Sequence, residues 1–233
     1  MPNFSCARFC SDGASLDMIS QLILPIEPAS RMTRDDFIVA AGNRHALAFL
    51  DAWPDWAAPA VALFGPSASG KTHLARIWAA RVGAVLADAR KLRAPIMGAA
   101  VVENCDSVSD AAHEPALFAM LERGTPLLLT GRGAPASWRV GLPDLASRFR
   151  ALMTFELGGA DEALLMALAV KLFADRQVQV PEAVVTELVQ QLERSPAALR
   201  DFIARADATA LSRQKPINLQ LIRGLMTDPG VAS

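Results

Sequence analysis

Gly65-Pro66-Ser67-Ala68-Ser69-Gly70-Lys71-Thr72 is the stretch from which the fold of this chain can be read. It fits G-x-x-x-x-G-K-[ST] at every fixed position. Before it runs Ala60-Val61-Ala62-Leu63-Phe64, the short apolar pattern of a buried strand. After it, Leu74, Ile77, Trp78 and Val82 recur at helical spacing. Strand, glycine loop and helix in that order make a cradle for phosphate. Gly65 and Gly70 let the backbone bend so that N–H groups along Ser67, Ala68 and Ser69 turn inward. The N-terminus of the following helix adds the positive end of its dipole. Lys71 brings a point charge to the outer phosphates, and the Thr72 hydroxyl is a ligand for Mg2+. The stretch predicts a bound nucleoside di- or triphosphate.

The rest of the composition sets bounds. The chain has 233 residues, of which 52% are hydrophobic, enough for one large domain or a core with a smaller second one. A net charge of −1 gives no overall basic field for nucleic acid. The three cysteines, Cys6, Cys10 and Cys105, are odd in number and form no metal-ligand set. They point to a reducing, cytoplasmic setting. No apolar run approaches membrane-spanning length. Residues 1–17 lack the apolar centre of a signal peptide, read as a disordered tail, and leave Met18 as an alternative start.

In chain order, Gln21-Leu22-Ile23-Leu24-Pro25-Ile26 is an apolar run close to a terminus. By its residues it is either an edge strand or packed arm, or a docking peptide with Leu22, Leu24 and Ile26 alternating into a partner's groove. Phe37-Ile38-Val39 then leads through Asn43 into a helix over 44–53, stopped by Pro54. Strand patterns follow at 61–64, 84–87, 99–102, 126–130 and 152–155, separated by helical stretches at 71–82, 110–123 and 144–150. That alternation predicts an α/β core, a parallel sheet with helices on both faces. Beyond Gly158-Gly159 only helical patterns occur, at 160–175, 181–193, 196–212 and 216–226, with Pro181, Pro196 and Pro216 near helix starts.

Three further positions bear on chemistry. The run Ala99-Ala100-Val101-Val102 ends in Glu103-Asn104. A carboxylate at this strand end holds Mg2+ or merely ends a strand at the surface; Asn104, next to it, cannot accept a proton. Arg148 closes Pro143-Asp144-Leu145-Ala146-Ser147-Arg148 and is either a solvated helix-end arginine or a finger reaching a neighbour's nucleotide. Arg200, in Ser195-Pro196-Ala197-Ala198-Leu199-Arg200, is an exposed helix arginine or a bidentate phosphate ligand. His45, His73 and His113 form no cluster and read as structural.

With these segments in order, the chain resembles an AAA+ ATPase of the DnaA clade. The resemblance covers roughly residues 19–227, through QLILPI, FIVAAGN, LFGPSASGKTHLARIWA, VVEN, LLLTGR, GLPDLASRF and SPAALRDF. It implies a five-stranded AAA+ P-loop core over 37–157 and a helical lid over 158–233, behind a tail of residues 1–36. It also places Phe37, Val39 and Asn43 against the adenine of a bound ADP or ATP, adds His73 to the nucleotide-binding set, and makes Thr130 sensor I and Arg200 sensor II. Thr72 and Glu103 become the Mg2+ residues, and Arg148 an arginine finger acting in trans. By the same resemblance Gln21, Leu22, Leu24, Pro25 and Ile26 form a peptide for the β sliding clamp of DNA polymerase III. The second partner implied is DnaA, with DNA reached only through the clamp; self-association stays open. Glu103-Asn104 departs from the usual paired acids. No helix-turn-helix pattern precedes Ser233, so direct origin binding is not expected. The rival expectations are an independent ATPase, such as a helicase loader of the DnaC type, and a passive clamp-binding module.

Overall fold

The structure is a computed structural model that describes residues 32–107 and 112–227. The expected clamp peptide, Gln21, Leu22, Leu24, Pro25 and Ile26, lies outside the described residues. Five strands are found: β1 (Ala60–Phe64), β2 (Val85–Asp88), β3 (Ala100–Glu103), β4 (Leu127–Gly131) and β5 (Met153–Glu156). They lie in the order β2-β3-β4-β1-β5, every neighbouring pair parallel. Parallel neighbours need crossover connections, and the crossing helices cover both faces. The three central strands are therefore apolar on both sides, while β2 at the edge leaves Val85 and Leu86 each 49% exposed.

Side chains along the central strands alternate between two cores. Val61, Leu63, Val101 and Leu128 pack with Leu47 and Leu50 of α1 (Arg44–Asp51) and with Leu74 and Trp78 of α2 (Lys71–Val82). Ala62, Val102, Leu127 and Leu129 face the other way, onto Leu117 and Met120 of α3 (Glu114–Glu122) and Leu145 and Phe149 of α4 (Pro143–Ala151). The first core carries an aromatic cluster. Trp56 stacks on Trp78 with ring centroids 4.9 Å apart, and Trp53 meets both rings edge-on. Trp138 belongs to the second core, edge-on to Phe149 at 5.0 Å.

A third core belongs to α5 (Glu162–Ala174), α6 (Glu182–Gln191), α7 (Pro196–Ser212) and α8 (Leu219–Thr227), where Leu165, Phe173, Leu188, Phe202 and Ile222 meet. Local chemistry marks the helix starts. Asp161 caps α5 by accepting from Leu164 N at 2.7 Å; Ser195 caps α7, with Pro196 in its first turn. The boundaries expected at 181–193 and 216–226 move because Pro181 stands before the first turn and because Asn218, accepting from Leu221 N at 2.8 Å, caps α8. The first helix ends at Asp51, short of the expected 53.

The packed structure also begins before residue 37. Thr33, Arg34 and Asp36, assigned to the tail, hydrogen-bond to one another or to the helices behind them. Among the described residues no helix is long and apolar enough to cross a membrane.

Candidate functional site

Strand register brings the chemistry to one edge. Leu63 pairs with Thr130, Phe64 with Gly131 and Asp88 with Glu103, so the C-terminal ends of β1, β3 and β4 lie side by side. Ligands of open parallel sheets bind outside these ends. Here a cleft of about 400 Å3 opens. Residues 67–73, Glu103, Asn104, Asp106, Thr130, Gly131 and Arg132 line one side, and Leu164, Leu168, Pro196, Ala197 and Arg200 of the helical part line the other. Met32, Asp36, Phe37, Ile38 and Asn43 complete it.

The loop conformation explains its glycines. Gly65 has φ +148°, and a Cβ there would stand 2.1 Å from the Leu157 carbonyl oxygen. Gly70 has φ +93° and starts α2, where the first N–H groups have no helical acceptor. Ala68 accepts a left-handed φ of +60° without being glycine. Lys71 folds back over the loop, its Nζ donating to Gly65 O at 2.8 Å, Pro66 O at 2.6 Å and Ser69 Oγ at 3.2 Å. Burial lowers the pKa of its ammonium, Asp106 opposes that shift, and Arg132 adds to it.

At the strand ends, Oε1 of Glu103 is buried and has no hydrogen-bond partner among the described residues. A buried carboxylate oxygen left in this way suits a hard cation. With Thr72 in the same cleft, the donors present fit Mg2+. Asn104 is turned to other work. It adopts φ +60°, and its Nδ2 donates to Asp88 Oδ2 at 3.1 Å. Asp88 is held to a pKa of about 2, chiefly by hydrogen bonds from the Arg90 guanidinium.

Residues 32–43 are held at the cleft by side-chain bonds. Asn43 is buried; its Oδ1 accepts from Ala40 N at 2.9 Å and its Nδ2 donates to Ile38 O at 3.0 Å, fixing the loop that carries Phe37 and Ile38. His73 meets Phe37 edge-on at 5.1 Å, and its Nε2–H donates to Thr33 O at 2.9 Å. Burial lowers the His73 pKa. Lys171 of α5 reaches Asp36 at 3.0 Å and Asp35 O at 3.2 Å.

Of the expected site residues, 67–73, Phe37, Asn43, Glu103, Thr130 and Arg200 meet in this cleft. Gly65 and Pro66 shape the loop without lining it. Val39 does not line it either: it is 47% exposed, and its neighbour Ile38 takes the place expected of it. The Arg200 residue is exposed on α7, but its guanidinium is desolvated enough at the cleft to lower its pKa. Arg148 lies elsewhere, on α4, paired with Glu122 of α3, both side chains about half exposed. Sequence reasoning missed Asp36, Asp106 and Arg132. Asp106 and Arg132 each fall shortly after an expected residue, and that proximity was the only sequence signal for them.

No protein-family model matches the chain. Among solved structures it is similar to domain III of the replication initiation protein DnaA of Thermotoga maritima. The TM-score is 0.69 and the identity 16%, covering 83% of this chain and 95% of that one. AMPPCP-bound DnaA from Aquifex aeolicus gives 0.63 and 13%, covering 76% and 65%. The Thermotoga maritima RuvB Holliday junction branch migration motor gives 0.66 and 18%, covering 84% and 71%. At such identities the likeness is one of fold. The chain has the five-stranded fold of AAA+ P-loop ATPase domains, shared by DnaA and RuvB.

Proposed function

We propose that this chain is a nucleotide-binding AAA+ regulator of chromosomal replication initiation, of the Hda type. It docks on the β sliding clamp and stimulates hydrolysis of ATP held by DnaA. The observation that carries this reading is the separation of Arg148 from the chain's own cleft. The cleft has what holding a nucleotide needs: an anion-binding helix start, Lys71, Thr72, Glu103, Thr130 and Arg200. That the similar Aquifex aeolicus DnaA is AMPPCP-bound supports nucleotide binding by this chain. Thr72 and Glu103 would hold Mg2+, which neutralises charge on the phosphates. Asn104 cannot act as a base and is bonded to Asp88, so the chain's own hydrolysis is slow.

Arg148 stands on the surface, where a second molecule can receive it. Its pair with Glu122 is exposed, and such pairs cost about 1 kcal/mol or less to break. A guanidinium delivered in trans stabilises transition-state charge and is worth about 10³–10⁵ in rate. In this reading Gln21 makes polar contacts with the clamp while Leu22, Leu24 and Ile26 fill apolar pockets.

Arg148→Ala tests the assignment. It should leave ADP binding and clamp binding intact and abolish stimulation of DnaA-bound ATP hydrolysis, measured with clamp-loaded DNA. Normal stimulation by the variant would move the finger elsewhere. Turnover of several ATP per second by the protein alone would instead install an independent ATPase of the helicase-loader type.

A further inference from the structure

Glu114 has no part in the reading above, yet its residue is almost wholly inside the protein, 3% exposed. A carboxylate is seldom buried unless its oxygens are satisfied. Here backbone satisfies both: Oε1 accepts from Gly141 N and Oε2 from Leu142 N, each at 2.7 Å. Those amides lie 27 and 28 residues further along the chain, in the turn that leads into α4. The carboxylate is itself fixed. Glu114 and Pro115 open α3, and the residue before them, His113, is buried, its Nδ1–H donating to Leu92 O at 2.8 Å.

α4 lacks the local chemistry that would set its own start. Leu142 stands at its N-cap position with no side-chain cap, and Pro143 begins the first turn. In a capping box the third helical residue is a Glu or Gln that accepts from the N-cap N–H. That place in α4 is held by Leu145, which is buried in the core and has no acceptor to offer. Glu114 supplies the missing acceptor from another helix, and its charge meets the positive end of the α4 dipole. Leu145 and Phe149 seat α4 against α3, but apolar packing is non-directional. The two hydrogen bonds fix where on that surface the helix begins. Arg148 follows Leu142 by about 9 Å along the axis, at about 1.5 Å per residue. Its exposed pair with Glu122 constrains it little.

We propose that Glu114 is a positioning residue for Arg148, because its two hydrogen bonds fix the start of the helix that delivers the guanidinium. The inference rests on the reading of Arg148 as a finger acting in trans and deepens it. A guanidinium displaced by about 1 Å from the charge it stabilises loses about tenfold or more in rate. The side chain that holds it in place need never touch the nucleotide.

The test is stimulation of DnaA-bound ATP hydrolysis by the full chain on clamp-loaded DNA, titrated to saturation so that maximal rate and half-saturating concentration are read separately. Glu114→Gln keeps the shape but removes the charge and turns a donor toward one of the two amides. It should lower the maximal rate about tenfold and leave the half-saturating concentration, ADP affinity and clamp binding as they were. Glu114→Asp, which keeps the charge and draws the oxygens back, should retain more of the rate than Glu114→Gln. An unchanged maximal rate in both folded variants overturns the proposal. So does a loss that appears only as a higher half-saturating concentration, or failure of both variants to fold, which would make Glu114 a residue of stability alone. Arg148→Ala separates the two levels. Normal stimulation by that variant removes the finger and this inference with it, whereas abolished stimulation beside a normal Glu114→Gln strikes this inference and leaves the finger standing.

Discussion

The phosphate end of the cleft is made mainly of backbone, shaped by Gly65 and Gly70 and anchored to the buried strands β1, β3 and β4. The part at residues 32–43 is held by side-chain bonds, two of them between residues far apart in the chain, Asp36 with Lys171 and His73 with the Thr33 carbonyl, and one local, Asn43 with the Ile38 carbonyl. A backbone-built end has one geometry and tolerates no added atoms. A side-chain-built end rests on contacts each worth about 1 kcal/mol, and it can loosen without unfolding the sheet. In the proposed reading, capture of phosphates is thereby separated from contact with the rest of the nucleotide.

The sharpest way to break this contrast is Gly65→Ala. Its Cβ would meet the Leu157 carbonyl oxygen at 2.1 Å, at a φ that L-residues avoid. The expected loss is about 3 kcal/mol or more in urea unfolding followed by far-ultraviolet circular dichroism. A mild effect would mean that the loop is pliable. Next in size, Lys71→Ala should weaken ADP about 100-fold while the protein still folds, since it removes a charge and leaves the backbone cradle. An unchanged titration would reject the site.

Replacing Gln21, Leu22 and Leu24 together by alanine should abolish clamp binding. Buried apolar side chains of this kind contribute about 1.5–3 kcal/mol each. ADP affinity should stay as it was; retained clamp binding would leave QLILPI a packed arm. For the side-chain-built end the expected effect is smaller and depends on pH. Burial depresses the folded-state pKa of His73 below its usual 6.5, against opposing contributions from the Thr33 contact and from Asp36. The folded state then binds fewer protons than the unfolded one just below pH 6.5, so stability is fully present above that pH and declines as pH falls through the folded pKa. Because the ring is only half-buried, the change should be under about 1 kcal/mol between pH 7.5 and 5.5. His73→Gln should flatten it in pH-dependent denaturation. An equal slope in the variant would place the titrating group elsewhere. Smallest of all, Arg148→Ala should leave stability within about 1 kcal/mol of wild type.

What the sequence made legible follows the same division. Gly65, Gly70 and Lys71 announce themselves because few residues meet the demands of that backbone and charge. The five strands were legible because buried parallel strands read as short apolar runs. Asp36 and Lys171 could not be paired, being 135 residues apart and joined only by the packing of helices. Val39 was placed in the cleft from a segment match. The bonds that Asn43 makes to Ile38 and Ala40 turn Ile38 inward instead, and no local pattern reveals that one-residue difference. Asp106 was missed for a related reason: it reaches the cleft only because Asn104 takes a left-handed turn.

The arrangement of indoles gives the protein an optical asymmetry. The chain contains four tryptophans and no tyrosine, so its near-ultraviolet absorption above the phenylalanine bands comes from indole alone. Trp53, Trp56 and Trp78 are within coupling distance on one face of the sheet, while Trp138 lies in the core on the other. Stacked chromophores such as Trp56 and Trp78 share excitation, so the three should emit as a self-quenched group and give a paired circular-dichroism signal. Trp138→Phe would leave only that coupled group to observe. Comparison of this variant with the wild type would follow the two faces of the sheet separately, with no label attached.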